Sequence, residues 1–175
     1  NEIKVFRVDI CDKNEVNRLI KKIKPNIIFH LATYGSYPNE DNFGKILNVN
    51  VLATINLVRI CAGVGFESFV NLGSSSEYEA SNKPISENDP LGPATNYGWS
   101  KAAAALFCQQ FAKSNNLKIA TVRPFSVYGP FENPGRLIPT LMIGAILAKR
   151  VNLAKPNSVR DFVYVDDVID ALLLC

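Results

Sequence analysis

A tyrosine and a lysine stand four residues apart in the stretch NYGWSK, residues 96–101. On a helix, residues i and i+4 share one face, so the phenol of Tyr97 and the ammonium of Lys101 would point the same way. At roughly 6 Å and an effective dielectric near 20, the lysine would favour a phenolate by about 3 kcal/mol. Such a phenol can act as a general base near neutral pH. The same spacing also occurs in surface pairs, where the tyrosine merely covers the stem of the lysine.

Three consecutive serines, Ser74, Ser75 and Ser76, follow the apolar stretch FVNL and could hold a substrate oxygen. Together with the tyrosine and the lysine, a serine suits proton removal from a secondary alcohol while hydride leaves the same carbon. A nicotinamide must accept that hydride. Serine hydrolysis fits less well, because the only histidine, His30, lies inside an apolar stretch and the sequence has no GxSxG elbow.

The elements that must position these residues alternate between strand and helix. Helical spacing follows Asp12 and covers residues from about 43 to 64, 96 to 114 and 136 to 150, with a last helix from Asp166. Short apolar runs predict strands at IKVFRVDI, NIIFHLA, FESFVNLGSSS, KIATVRPF and RDFVYV. Alternation with short connections predicts an α/β fold with a parallel sheet, and ligands in such folds bind beyond the carboxyl ends of the strands.

Composition excludes several other classes of protein. The 175 residues suffice for one domain with a core, and a net charge of +3 with scattered basic residues argues against nucleic acid. No apolar run appears long enough for a membrane span and no signal peptide opens the chain, so we expect a cytoplasmic protein. Four distant cysteines and a single histidine predict no metal site and reduced thiols.

Seven blocks, in order along the whole chain, resemble the extended short-chain dehydrogenase/reductase superfamily in its nucleotide-sugar epimerase/dehydratase branch. The resemblance implies a Rossmann-like doubly wound parallel sheet, here incomplete, with the start of a smaller substrate-binding lobe. It places a partial NAD(P)-binding core at residues 1–130, and the start of the substrate-binding region with the final core strand and helix at 131–175. The blocks are VDICD, NIIFHLAT, NVNVLATINLV, FVNLGSSSEY, NYGWSK, VRPFSVYGP and RDFVYVDDV.

The resemblance implies a catalytic set of Ser75, Tyr97 and Lys101. Tyr97 matches the family's acid/base, and Lys101 matches the lysine that lowers the pKa of that tyrosine and binds the nicotinamide ribose. Ser75 is the matching hydroxyl because it stands two residues before Glu77, although the serine run leaves its neighbours open as alternatives.

The resemblance also implies contacts with NAD or NADP and with a nucleotide-sugar substrate. The resemblance matches Asn50 to an asparagine that supports the active-site geometry, and the alternative is a helix-interior residue bonded to backbone. Asp9 could instead cap the following turn, and either arginine could be a surface ion-pair partner. The expected cofactor contacts are Asp9, Ile10, Leu31, Ala32, Asn50, Tyr97, Lys101, Pro124 and Val127. The expected substrate contacts are Ser76, Glu77, Arg136 and Arg160.

The sequence departs from the family at its beginning. No GxxGxxG turn, which would hold a cofactor pyrophosphate on backbone N–H groups, is present. The first strand matches the family's third, so the family's central strand would be missing between IKVFRV and NIIFHLA. We therefore expect an exposed apolar edge, a fragment of a longer protein or a gap filled by another chain, and weak cofactor binding by these residues alone.

The leading hypothesis is an NAD(P)-dependent epimerase, dehydratase or 4-ketoreductase acting at C4 of a nucleotide-activated sugar, dimeric in its full-length form. Some dehydratases carry an Asp-Glu pair where this chain has Ser76 and Glu77. Glu77 would keep the base while the acid is lost, which counts against that dehydratase type. The alternative is a non-catalytic dinucleotide-binding protein of the same fold, and the complete Ser75, Tyr97 and Lys101 set argues against it.

Overall fold

The computed structural model describes residues 3–37, 39–153 and 159–175 and divides the chain into two compact units. The first unit comprises Asn1–Arg123 together with Cys175, and the second comprises Pro124–Leu174. The division falls after Arg123, whereas the sequence suggested a boundary at residue 130.

The first unit contains a three-stranded parallel sheet. Its strands are β1 (Ile27–His30), β2 (Ser68–Leu72) and β3 (Ile119–Val122), in the spatial order β1-β2-β3. Phe29 pairs with Val70, and Val70 pairs with Ala120, so β2 is hydrogen-bonded on both sides. The parallel pairing confirms the predicted α/β class.

The helices of this unit begin and end at the signals that the sequence carries. The carboxylate of Asp12 accepts the backbone N–H groups of Asn14 and Glu15 and so caps α1 (Lys13–Ile23). The hydroxyl of Thr95 likewise caps α4 (Asn96–Asn115), which ends at Asn116 in the left-handed conformation.

The predicted helix from about 43 to 64 is continuous but not uniform. It consists of α2 (Phe43–Ile46), a π-helical segment (Leu47–Leu52) and α3 (Ala53–Val64), and the cap residue Gly65 follows. Short π-helical turns inside α-helices shift the backbone partners by one residue and are frequent at functional sites. The apolar spacing of the sequence gives no sign of this wide turn.

Helices α1, α3 and α4 meet the sheet around Phe69 of β2, which is fully buried. Its cluster contains Val16 from α1, Cys108 from α4, and Leu57, Val58 and Cys61 from α3. All four cysteines of the chain carry free thiols. Burial raises the pKa of Cys61 to about 11 and that of Cys108 to about 12, so both thiols are packing groups.

The Phe43–Val64 segment is, by length and composition alone, apolar enough to cross a membrane. It has 22 residues and contains an 18-residue window with a mean hydropathy of 1.5, so the expectation that no run is long enough was wrong. In the structure 44% of that window is buried within the protein, and Val58 and Cys61 lie in the core. A core helix accounts for the same composition.

The prediction of a first strand at IKVFRVDI was wrong. Residues 3–9 adopt no regular structure, because a strand needs a hydrogen-bonding neighbour and the described residues supply none to this segment. The expected apolar edge is present: Ile3 is 88% exposed and Val5 81% exposed, and Ile27 and Phe29 on β1 are also exposed. An edge of this kind is prone to association with other strands.

The second unit has a two-stranded parallel sheet and two helices. The strands β4 (Ser126–Tyr128) and β5 (Phe162–Tyr164) pair with Val127 opposite Val163. Helix α5 (Leu137–Ile146) lies between them in the chain, and α6 (Val165–Leu173) follows β5 directly.

Candidate active site

The predicted pair of Tyr97 and Lys101 lies on the first two turns of α4. The hydroxyl of Thr95 accepts the backbone N–H of Gly98 at 3.0 Å and fixes the start of the helix. Tyr97 is half-buried, whereas only 4% of Lys101 is exposed. Helical spacing places the phenol and the ammonium on one face, as the sequence predicted.

Lys101 is a charged side chain in an unusually dry position. Burial lowers its pKa, while the carboxylate of Glu77 and the thiol of Cys108 act in the opposite direction. An ammonium held at low exposure interacts strongly with any negative charge beside it, because the local dielectric is low. A phenolate lying beside Lys101 would therefore be stabilised more strongly than one beside a lysine in water.

The three serines form a tight turn at the carboxyl end of β2. The hydroxyl of Ser74 accepts the N–H of Ser76, and Ser75–Glu77 make one turn of 3₁₀ helix. Ser75 is half-buried and Ser76 is exposed. The turn thus holds Ser75 on a fixed backbone at the carboxyl end of β2, and its role as the catalytic hydroxyl remains a prediction.

The serine turn and the start of α4 lie against one another through Gly98. A Cβ atom at Gly98 would collide with the backbone carbonyl oxygen of Ser76, and it would also lie 3.2 Å from the Cβ atom of Pro93. Only glycine permits this approach between two backbones. The contact brings the predicted residues Ser75 and Tyr97 to one region of the fold.

Glu77, a predicted substrate contact, is buried and ion-paired in the structure. It is fully buried, and its two oxygens accept the N–H of Ser74 at 2.8 Å and the Nε–H of Arg123 at 2.5 Å. Arg123 also donates to the hydroxyl of Tyr78 at 3.1 Å. Each of its oxygens thus already accepts a bond from a protein donor, and a role of Glu77 as a base or substrate contact remains a prediction.

The ion pair joins Glu77, in the turn after β2, to Arg123, directly after β3. Burial disfavours the charge of Arg123, but the hydrogen bond and the charge of Glu77 outweigh it and raise the pKa of the guanidinium. Gly73 makes room for the pair, since a Cβ there would lie 2.5 Å from a carboxylate oxygen of Glu77. The Glu77–Arg123 pair fixes the serine turn on the sheet.

Asn50, in the π-helical segment, is fully bonded to protein. Its Oδ1 accepts the N–H of Tyr34 at 2.9 Å and the hydroxyl of Thr33 at 3.3 Å. Its Nδ2 donates to the carbonyl of Tyr34 at 2.7 Å and to the hydroxyl of Ser100 at 2.8 Å. Asn50 therefore ties the loop after β1 to helix α4, in keeping with the alternative of a support for the site geometry. Its amide has no hydrogen-bonding capacity left for a cofactor contact.

The remaining predicted cofactor residues of this unit lie near the ends of its first two apolar stretches. Leu31 and Ala32 are exposed directly after β1. Asp9 is exposed, and its carboxylate accepts the N–H of Cys11 at 2.9 Å, as expected if it caps the following turn. Ile10 packs against the core. Asp9 can cap this turn and still present its second carboxylate oxygen to solvent.

Four predicted residues belong to the second unit. Pro124 and Val127 are half-buried, the latter within β4. Arg136 is exposed at the N-cap position of α5, and Arg160 is exposed shortly before β5. Their predicted contacts with cofactor and substrate remain predictions.

A sequence profile described as the NAD dependent epimerase/dehydratase family matches residues 1–175. The chain belongs to this family. It is 28% identical over 180 residues to a UDP-glucose 4-epimerase of Mycolicibacterium smegmatis, covering 99% of this chain and 57% of that protein. It is 30% identical over 175 residues to a dTDP-D-glucose 4,6-dehydratase of Mus musculus, covering 97% of this chain and 49% of that protein.

Solved structures of similar proteins share the fold. The structure of MoeE5 in complex with UDP-glucuronic acid and NAD superposes with a TM-score of 0.84 at 34% identity, covering 97% of this chain and 57% of that one. A UDP-glucuronic acid 4-epimerase from Bacillus cereus, with UDP-glucuronic acid and NAD, gives 0.81 at 25% identity, over 96% of this chain and 54% of that one. The chain thus spans about half the length of the relatives that it matches.

Several residues of the candidate site were missed by the sequence interpretation. Arg123 bonds to both Glu77 and Tyr78. Gly98 allows the close approach of α4 to the serine turn, and Ser100 links Asn50 to α4. Ser100 precedes the lysine of the recognised motif, which was the one available signal. The others become visible only once the strands are assembled.

Proposed function

We propose that the protein containing this chain is an NAD-dependent enzyme that acts at C4 of a nucleotide-activated sugar. The observation that carries the proposal is the half-buried phenol of Tyr97 on the same helix face as the buried ammonium of Lys101. Membership of the NAD-dependent epimerase/dehydratase family supports it. The relatives crystallised with both NAD and UDP-sugars support the cofactor and the substrate class.

The residues of the first unit suit the ribose and adenine ends of NAD. The buried ammonium of Lys101 can bind ribose hydroxyls, and the exposed carboxylate of Asp9 can accept a hydrogen bond from the adenine amino group. The exposed backbone after β1 lies at the carboxyl end of a parallel strand. These residues would hold the ribose and adenine ends, with Pro124 and Val127 proposed at the nicotinamide. NAD, when bound, supplies the acceptor and the donor of hydride.

The acid/base work falls to Tyr97. Its phenolate takes the proton of the C4 hydroxyl as that carbon loses hydride, and it returns the proton when the carbonyl is reduced. The charge of Lys101 favours the phenolate, and the hydroxyl of Ser75 donates a hydrogen bond to the same sugar oxygen. Ser76, Arg136 and Arg160 stay proposed substrate contacts, the arginines for the diphosphate.

The committed oxygens of Glu77 favour epimerisation or reduction at C4 over removal of water between C5 and C6. That elimination needs a second base near the sugar, and Glu77 is fully buried and paired with Arg123. Ser76, which stands where some dehydratases have an acid, offers no carboxyl group. We therefore rank a 4-epimerase or 4-ketoreductase above a 4,6-dehydratase.

We also propose a homodimer and a cytoplasmic location. Helices α2–α3 and α4 pack side by side and expose large apolar side chains, with Phe43 at 49%, Leu52 at 46%, Trp99 at 45% and Leu106 at 53%. An apolar surface of this kind is suited to a second copy of the chain. The free thiols fit a reducing compartment.

Thermal unfolding of the complete gene product with NAD, NADP and UDP- or dTDP-linked hexoses tests the proposed ligands. A ligand at about a hundred times its dissociation constant stabilises by about 2.7 kcal/mol. We expect a rise in the unfolding temperature with NAD and a further rise with a nucleotide sugar. The absence of a rise with either dinucleotide would overturn the proposal, and an unproductive NAD complex that leaves every sugar unreacted would favour the non-catalytic alternative.

A further inference from the structure

His30, which the proposed chemistry does not use, heads a series of buried hydrogen bonds. It lies at the end of β1 with 4% exposure, and its Nε2 is 2.8 Å from the hydroxyl oxygen of Thr54. Thr54 is 1% exposed and donates to the backbone carbonyl of Asn50 at 2.8 Å. A hydroxyl has one proton and a carbonyl can only accept, so Thr54 must accept from His30. The imidazole is therefore protonated on Nε2.

The series continues from Asn50 into the helix that carries the proposed acid/base. The Nδ2 of Asn50 donates to the hydroxyl oxygen of Ser100 at 2.8 Å. Ser100 is fully buried and donates in turn to the backbone carbonyl of Tyr97 at 2.7 Å. Each hydroxyl in the series has one donor and one acceptor partner, so its hydrogen bonds have only one consistent direction.

The series of hydrogen bonds passes through a wide helical turn at Asn50. Leu47–Leu52 is π-helical, and the N–H of Ala53 bonds to the carbonyl of Asn48, five residues earlier. In such a turn the backbone partners are displaced by one residue. The hydroxyl of Thr54 gives the carbonyl of Asn50 a donor, and His30 holds that hydroxyl in place.

We propose that His30 and Thr54 are positioning residues, which act through Asn50 and Ser100 to fix the first turn of α4 and thereby the phenol of Tyr97. The inference rests on the proposed function, because it assumes that Tyr97 is the acid/base. Burial, and next the charge of Lys101, lower the pKa of His30 to about 4. The neutral imidazole keeps its Nε2 hydrogen bond without placing a second positive charge beside Lys101.

Two matched pairs of variants in the complete gene product test the proposal. Thr54→Val removes the hydroxyl at nearly constant shape, whereas Thr54→Ser keeps it. His30→Leu removes the donor, whereas the amide of His30→Gln can still donate to Thr54. For Thr54→Val and His30→Leu we expect kcat to fall about tenfold, while KM for the sugar nucleotide changes less than about twofold. A tenfold fall is on the scale of one lost hydrogen bond within the protein. The Ser and Gln variants should stay within about threefold of wild type.

The pH dependence of kcat separates positioning from mere structural support. A displaced Tyr97 loses the favourable charge interaction with Lys101. The pH at which kcat reaches half of its plateau, on the limb where kcat rises with pH, should therefore be higher in Thr54→Val and unchanged in Thr54→Ser. Equal kcat and equal pH profiles for both, with only the unfolding temperature lowered in the valine variant, would overturn the proposal.

Ser100→Ala covers the case in which Thr54→Val does not fold. The deletion removes only one oxygen, at the link between Asn50 and α4, and should give the same fall in kcat. Unchanged kcat in this variant would refute the proposed link. Full activity of Tyr97→Phe would instead refute the proposed function, whatever the behaviour of Thr54 and Ser100.

Discussion

Replacement of Arg123 by methionine tests the interpretation of the Glu77–Arg123 pair as a structural fixture of the serine turn. Methionine keeps much of the apolar stem and removes the guanidinium, so the fully buried carboxylate of Glu77 loses its ionic partner. Removing one partner of a buried pair costs about 3–5 kcal/mol. The side chain of Arg123 is 21% exposed, so water replaces part of the lost interaction and we expect about 3 kcal/mol.

The matched variants are Glu77→Gln and the double variant. Glutamine keeps an oxygen for the N–H of Ser74 and should cost about 1–2 kcal/mol. Because the two side chains share one interaction, the double variant should cost about 1–2 kcal/mol less than the two single costs together. Urea unfolding at equilibrium measures all three. Additive costs below about 1 kcal/mol each would refute the buried pair.

The same variants separate structure from chemistry. Glu77→Gln should keep kcat within about threefold once the folded fraction is taken into account, because a carboxylate committed to two protein donors moves no proton in the reaction. Its control is Arg123→Lys, which keeps the charge but loses the planar donor set. A fall in kcat of about a thousandfold in Glu77→Gln with the stability unchanged would restore Glu77 as a base.

Three further predictions concern the elements around the site. Gly98→Ala should lower both stability and kcat, because its Cβ would collide with the carbonyl of Ser76; wild-type values in unfolding and rate assays would contradict the close approach. The pKa of His30 is lowered from 6.5 to about 4, so the unfolded chain binds more protons in that window. Stability should therefore fall by about 3 kcal/mol as the pH drops from 6.5 to 4, and His30→Gln should remove this component of a pH-dependent urea series. Trp99→Glu combined with Leu106→Glu should convert the proposed dimer to a monomer in sedimentation experiments, and a dimer that survives both charges would place the interface elsewhere.

The sequence predicted the parts of this structure that depend on local signals. The helix predicted after Asp12 begins at Lys13, and the helix predicted from residue 96 begins at Asn96. Tyr97 and Lys101 share a face because helical spacing alone requires it. The alternation of apolar strands and helices was sufficient for the α/β class and the parallel pairing.

The sequence could not predict features that depend on distant partners. Glu77 and Arg123 are 46 residues apart, and only the pairing of β2 with β3 brings them together. Residues 3–9 have the apolar pattern of a strand, yet pattern does not supply a neighbour with which to bond. The side chain of Asn50, in the π-helical turn, likewise bonds to Tyr34 and Ser100, which lie far from it in sequence.

The central claim, that Tyr97 moves the proton during oxidation at C4, is tested most directly by Tyr97→Phe. The measurement is the formation of reduced nicotinamide in a single turnover with NAD and a UDP-hexose, followed by its absorbance in the complete gene product. Tyr164→Phe, which removes a phenolic hydroxyl from β5, serves as the matched control. We predict that Tyr97→Phe binds NAD as wild type does but forms reduced nicotinamide at least about a hundredfold more slowly, while the control reacts normally. Formation of reduced nicotinamide at the wild-type rate by Tyr97→Phe would contradict the assignment.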